Sequence, residues 1–309
     1  MISGKGSTTA ILTTEDVQQL VARACEPLAL DGKRVLVIIP DGTRTAPIPL
    51  FFRTLYEQLG RRVAQLDYLI ALGTHPPMSD EAVDQLVGVP ANARVEQYPN
   101  VRIFNHQWSE PEMLRTIGII SREEAENLTG GLLSGEVPVT LNRMIFAYDQ
   151  LIICGPVFPH EVAGFSGGAK YLFPGIAGPD IINFTHWLGA LVTSMHTIGV
   201  KDTPTRRVIH RAADFLPIPL LCIAMAACDG KEFARPPNGS ISGALQRGMT
   251  EQQVTGVSSN RMPDRIIVST CGTETPKPFP LATQTNAFGV PVPAQAESHH
   301  EQEDYLWGV

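Results

Sequence analysis

The sequence has few cysteines, few charges and no long hydrophobic run, and each shortage removes a class of function. Its five cysteines, Cys25, Cys154, Cys222, Cys228 and Cys271, are scattered without a C-x-x-C pair. That pattern argues against a disulfide scaffold and a structural zinc site, and leaves buried thiols as the expectation. Only 18% of residues are charged, and 24 Lys and Arg stand against 31 Asp and Glu, a net charge of −7. No basic cluster offsets this balance, so nucleic acid is not an expected partner. Met1 to Ala10 lacks the apolar core of a signal peptide, and nothing later reaches the run of about 18 apolar residues that a membrane span needs. The expectation is a cytoplasmic protein with no membrane contact. Internal repeats and low-complexity blocks are also missing.

What is present is glycine, proline and a large apolar fraction. The 309 residues are 43% hydrophobic, enough for one large domain or two ordinary ones. The 27 Gly and 25 Pro make up about 17% of the chain, above an average of roughly 12%. Without a period, that excess belongs to turns and loops.

Apolar, β-branched runs of strand length alternate with segments of helical period, the pattern of a mainly parallel sheet with helices on both faces. The first run, Arg34 to Pro40, ends in Asp41-Gly42-Thr43-Arg44, and a helix is expected from about Ile48 to Leu59. The second, near Ala64 to Leu72, ends in Gly73-Thr74-His75-Pro76-Pro77, after which Ser79 caps a helix with an acidic first turn. The third, Val101 to Phe104, leads to Asn105-His106, and the fourth, Asp149 to Val157, leads to Phe158-Pro159-His160-Glu161. Polar clusters at the carboxyl ends of such strands mark a shared ligand site. Pro179 opens a helix whose apolar side is expected to carry Ile181, Phe184, Leu188 and Leu191, with His186 about two turns in. The polar stretch from about Gly230 to Asp264 reads as a boundary, and Arg265 to Ser269 as the start of a second α/β unit. The division expected is 1–260 as the catalytic domain and 261–309 as a short or truncated second α/β domain and tail.

Gly164-Phe165-Ser166-Gly167-Gly168-Ala169-Lys170 is a glycine-rich loop able to turn backbone N–H groups toward an anion. It is not a Walker A loop, because the spacing to Lys170 is wrong and Tyr171 takes the Ser/Thr place. A tight connection with Lys170 in solvent is the competing reading. Asp41 could accept from a sugar hydroxyl and Arg44 could bind phosphate or carboxylate; the alternative is an ordinary Asp-Gly turn with a solvated arginine. His75 and His160 both follow strands, and two imidazoles with ordinary values near 6.5 can serve as acid and base at neutral pH. His106 is a rival for that role, and His186 could be a metal ligand. His75, His160 and His186 together could form a zinc hydrolase site, although no H-E-x-x-H or similar pair occurs.

These residues resemble the nickel-dependent lactate racemase family. The match comprises D-x-T-R at Asp41 to Arg44, G-T-H at Gly73 to His75, H-x-x-A-G-F-S-G-G-x-K at His160 to Lys170, L-F-P-G-I-A-G at Leu172 to Gly178, and His186, 16 residues beyond the lysine. The resemblance implies a nickel-pincer nucleotide, a pyridinium mononucleotide joined through a thioamide to the amine of Lys170. Nickel would be held by the cofactor's two sulfurs and a ring carbon, with His186 completing the plane. Asp41, Gly42, Thr43 and Arg44, with Ser166, Gly167 and Gly168, would bind the nucleotide. His75 and His160 would be the acid/base pair of a 2-hydroxy acid racemase or epimerase that passes hydride reversibly to the cofactor, Arg44 orienting the substrate. Cofactor-synthesis proteins would be partners in maturation.

The sequence departs from that pattern in two places. Pro76 stands where lactate racemases usually carry arginine, and the family's Gly-Gly-x-Pro-x-Asp stretch is replaced by Cys271-Gly272-Thr273-Glu274-Thr275-Pro276-Lys277. Gln284 is the nearest candidate for the family's substrate-contacting glutamine, and Lys277 is the one nearby cation. A family member that holds the nucleotide or nickel with weak or no turnover is therefore the alternative to an active racemase.

Overall fold

The computed structural model describes residues 2–5, 12–44, 46–226 and 264–269. Residues 270–309, with Cys271, Lys277 and Gln284 among them, lie outside the described residues, as does Cys228. The expected 1–260/261–309 division therefore rests on the sequence alone.

The described chain is an α/β fold built on one seven-stranded sheet. Its strands are β1 (Ile2–Lys5), β2 (Arg34–Ile39), β3 (Gln65–Ile70), β4 (Ile103–Asn105), β7 (Gln150–Val157), β10 (Leu220–Ala226) and β11 (Asp264–Ser269). They run in the order β1-β11-β10-β7-β2-β3-β4, and every pairing is parallel. The run read from sequence as the start of a second unit, Arg265 to Ser269, is thus a strand of this sheet, between β10 and β1. Two small antiparallel pairs accompany it: β5 (Leu114–Ile120) with β6 (Val137–Asn142), and β8 (Pro159–His160) with β9 (Gly164–Phe165).

Alternation along the strands assigns the two faces. Val35, Val37 and Ile39 of β2, with Tyr68 of β3, face α1 (Thr14–Cys25) and α2 (Ile48–Leu59), where Leu20, Phe51, Phe52 and Leu55 complete one core. Leu36 and Ile38 face the opposite way, toward Ile181 and Leu188 of α6 (Pro179–Val192) and Val208 and Ile209 of α8 (Pro204–Ala213). A strand buried on both sides must be apolar, which explains the unbroken run VLVII after the exposed Arg34. The remaining helices are α3 (Asp80–Val87), α4 (Ala91–Gln97), α5 (Arg122–Thr129) and α7 (Ser194–Thr197). As expected, Ser79 caps α3, its Oγ accepting from the Ala82 N–H. On α6 the buried side is Ile181, Ile182, Thr185, Leu188 and Gly189. Leu191, expected on that side, is 41% exposed.

The strand order fixes where a ligand can sit. From β2 the chain proceeds outward through β3 and β4, whereas from β7 it proceeds the other way through β10 and β11. The direction of winding reverses between β2 and β7, and the connections leaving their carboxyl ends part to open a crevice there.

Candidate active site

That crevice is a cleft of about 200 Å³. Asp41 and Arg44 come to it from the end of β2, His75 from the loop after β3, His160 from β8 just beyond β7, Ser166, Gly167 and Lys170 from the glycine-rich segment, and His186 from α6. Residues up to 145 positions apart in sequence are brought to one wall-to-wall site. Gly42, Thr43 and Gly168 do not line it, and Pro76 is exposed outside it.

His75 and Asp41 form a pair. The His75 Nδ1 lies 2.5 Å from the Asp41 Oδ2. The other carboxylate oxygen accepts from the Thr43 N–H at 3.2 Å and the Thr43 hydroxyl at 2.6 Å. Asp41 is therefore committed to its own turn and to a histidine, a different use from the sugar contact read from the sequence. Burial works to raise its carboxyl, but the bonds from Thr43 and His75 outweigh it and hold the group below the ordinary carboxylate range. An Nδ1–H donated to a carboxylate leaves the His75 Nε2 as the basic nitrogen. Thr43 contributes by fixing Asp41.

His160 is built differently. It is only 6% exposed, and its Nδ1 accepts the Val162 N–H at 3.0 Å, so the proton of the neutral ring sits on Nε2. Burial, with the positive charges of Lys170, Arg44 and Arg206 and the neighbouring His186, pushes the imidazole down to about 2. The two histidines converge on one cleft with opposite tautomers.

Lys170 sits in a single 3-10 turn, Gly168–Tyr171, at the end of the glycine-rich segment. Among the described residues its ammonium has no hydrogen bond or ion pair. Burial, with Arg44 and Arg206, lowers it to about 8 despite Glu161 and Asp41. The amine is a half-buried group facing the cleft, which removes the solvated-lysine reading. Gly167 has φ of 82°, and a Cβ there would run into Val157. The turn that presents Lys170 thus needs glycine for both conformation and space. The Ser166 hydroxyl accepts the Phe158 N–H and donates to the Pro156 carbonyl; it ties the segment to the end of β7.

His186 donates its Nδ1–H to the Ile182 carbonyl at 2.7 Å. That bond orients the ring and leaves the Nε2 lone pair available, the arrangement typical of a metal-ligating histidine. No group of three His, Cys, Asp or Glu side chains among the described residues is placed to hold a metal ion. The alternative zinc site of His75, His160 and His186 is therefore not formed. His106, the rival catalytic histidine, is a core residue: buried, with Nε2 donating to the Ala177 carbonyl and Nδ1 accepting from Asn142. Burial lowers it to about 4.

Phe158, Glu161 and Tyr171, to which no role attaches from sequence, also line the cleft. Phe158 lies under the Arg44 guanidinium, 5.6 Å from ring centroid to Cζ. Its position directly after a strand was the available signal.

A fully parallel sheet with a histidine- and lysine-bearing cleft at its reversal point defines a small-molecule site of the open α/β class. The chain belongs to the family of the lactate racemase N-terminal domain, whose model matches residues 14–199. It is similar to the lactate racemase of Thermoanaerobacterium thermosaccharolyticum, with 26% identity over 61% of this chain and 40% of that protein. It is also similar to the lactate racemase of Lactiplantibacillus plantarum, with 27% identity over 52% of this chain and 34% of that protein. A crystal structure of a Thermotoga maritima protein matches with a TM-score of 0.64 and 29% identity, over 75% of this chain and 54% of that one. The chain spans less than half the length of the two lactate racemases it matches. No helix among the described residues is long and apolar enough to cross a membrane.

Proposed function

We propose that this cleft holds a nickel-pincer nucleotide on Lys170 and that the protein racemises or epimerises a small 2-hydroxy acid. The observation that carries the reading is the convergence of Lys170, His186 and the Asp41–His75 pair on one cleft. The residues present suit the group. Lys170 offers an unpartnered amine of lowered proton affinity, fit for acylation near neutral pH. His186 offers a free Nε2, and imidazole beside sulfur donors suits nickel. Arg44 and the backbone at Gly167 are placed to meet the nucleotide's phosphate.

When bound, the nucleotide would supply a reversible acceptor for the substrate's α-hydrogen. The chain's own residues do the rest. His75 takes the hydroxyl proton of one enantiomer on Nε2, and Asp41 stabilises the imidazolium that results. His160, neutral with its proton on Nε2, donates a hydrogen bond to the substrate oxygen from the other side. Arg44 orients the substrate carboxylate. Cofactor-synthesis proteins are the partners this reading requires.

The test is to follow single enantiomers of a panel of 2-hydroxy acids with protein from cells that make the nucleotide. Loss of optical purity for at least one acid supports turnover. No conversion by fully loaded protein would leave a cofactor-holding family member without turnover.

A further inference from the structure

Arg206 is the largest fully buried side chain among the described residues, at 1% exposure, and no carboxylate pairs with it. It lies on α8, whose start is fixed by Thr203: the threonine Oγ1 accepts the Arg206 N–H. α8 packs directly against the 3-10 turn that carries Lys170. The guanidinium reaches through to the glycine-rich segment, where Nε donates to the Ala163 carbonyl at 3.3 Å and Nη2 donates to the Phe165 carbonyl. These two carbonyls flank Gly164, whose φ is 81° and where a Cβ would strike the Val200 carbonyl. Among the described residues Nη1 is buried without a hydrogen-bond partner.

A purely structural role would be cheaper to fill. Burying a guanidinium without a counter-ion is costly, and two carbonyl bonds only partly offset that. A neutral amide could cap one of those carbonyls and an apolar side chain could fill the volume. What neither supplies is a fixed positive charge behind the turn.

We propose that Arg206 is a positioning residue that holds the glycine-rich segment in its cradle shape and, through its charge, works against protonation of the Lys170 amine. This deepens the proposed function, since it concerns the lysine that would carry the nucleotide. The charged groups facing Lys170 are Arg44 from the loop after β2, Arg206 from α8, Glu161 beside β8 and Asp41, with His160 on the same wall. The two arginines act against protonation and the two carboxylates act for it. Burial of the amine works in the same direction as the arginines, and Lys170 falls to about 8. Arg206 itself is lowered to about 10 by burial, so it stays charged at neutral pH.

The experiment needs no nucleotide. The unloaded full-length chain is methylated with formaldehyde and cyanoborohydride over a range of pH, and modification of Lys170 is followed by peptide mass, with the exposed Lys5 and Lys33 as internal references. In the unaltered chain the Lys170 midpoint should lie near 8. In R206Q, which keeps one amide donor and loses the charge, the midpoint should rise by about one unit, a roughly tenfold slower reaction at pH 7. R206K, which keeps the charge, should stay near the unaltered value. An R206Q midpoint equal to that of the unaltered chain overturns the proposal. So does a Lys170 midpoint in the unaltered chain no lower than those of Lys5 and Lys33, whether or not the variants fold. Failure of the racemase reading would appear separately, as absent turnover with the midpoint shift intact.

Discussion

His75 Nδ1 and Asp41 Oδ2 are 2.5 Å apart, although 34 positions separate them in sequence. The two residues follow neighbouring parallel strands, β2 and β3, whose register sets Ile39 beside Ile70. The strand pairing therefore aims both loops at one point. Asp41, at 5% exposure, is fixed by Thr43, while the His75 side chain remains 47% exposed on the cleft side. The carboxylate is the anchored partner, and the imidazole is the one that faces the cleft.

Asp41→Asn should weaken catalysis without preventing cofactor attachment. The amide cannot stabilise the imidazolium and permits the wrong tautomer, so kcat should fall by about 10²–10⁴-fold. Chiral analysis of a 2-hydroxy acid gives the rate, and the intact mass of the same sample gives the loading.

His186→Ala should separate metal from nucleotide. The ring is oriented by the Ile182 carbonyl, and no other described side chain replaces it as a donor from α6. Protein loaded in cells that make the cofactor should keep the added mass on Lys170 and lose most of its nickel on dialysis. Elemental analysis set beside intact mass checks both.

Acid should destabilise the fold before the carboxylates titrate. Burial holds His106 at about 4 and His160 at about 2, both below the ordinary histidine value near 6.5. Between those values the unfolded chain binds protons that the folded chain refuses. Stability is therefore fully present above about 6.5 and falls as pH drops, by up to about 1.4 kcal/mol per unit for each residue. Urea unfolding at pH 7 and pH 5 should show the loss, and His106→Gln should show a shallower one.

Gly167→Ala should strain the turn beneath Lys170. The residue would have to hold φ of 82° with its methyl against Val157, at a cost of about 1–3 kcal/mol. Chemical denaturation of the unloaded chain measures it. Gly32, also at positive φ but with open space around it, is the control; its alanine variant should lose only the backbone cost, about 1–2 kcal/mol.

Asp67→Ala should destabilise the sheet without touching the cleft. The carboxylate is fully buried in β3 and accepts from Tyr148 Oη at 2.6 Å and from Arg102 at 2.8 Å. Its removal leaves the buried Tyr148 hydroxyl without that partner, a loss of about 2–4 kcal/mol. Urea unfolding measures the loss, and methylation of Lys170 should be unchanged.

Much of this architecture was legible because it follows from local pattern. The run RVLVII reads as a strand of a mainly parallel sheet, and Ser79 before two acidic residues reads as a helix start; both stand in the structure. The motif residues Asp41, His75, His160, Lys170 and His186 meet in one cleft because each follows a strand end or the glycine-rich turn. What was not legible depends on contacts between distant segments. The Asp41–His75 bond requires knowing that β2 lies beside β3, and the place of Asp264–Ser269 in the first sheet requires knowing that β10 and β1 flank it. The tautomer of His160 is set by the Val162 N–H, a backbone detail that no spacing reveals. Arg206 looks like any helix arginine until α8 is packed against the glycine-rich segment.

The proposed function stands or falls with a nucleotide on Lys170. The most direct measurement is the intact mass, followed by peptide mapping, of the chain purified from cells that also make the nickel-pincer cofactor. The chain should be heavier by one nucleotide, with the added mass on the peptide containing Lys170 and absent from Lys170→Ala. An unmodified Lys170 in cells where a known family member is loaded would contradict it.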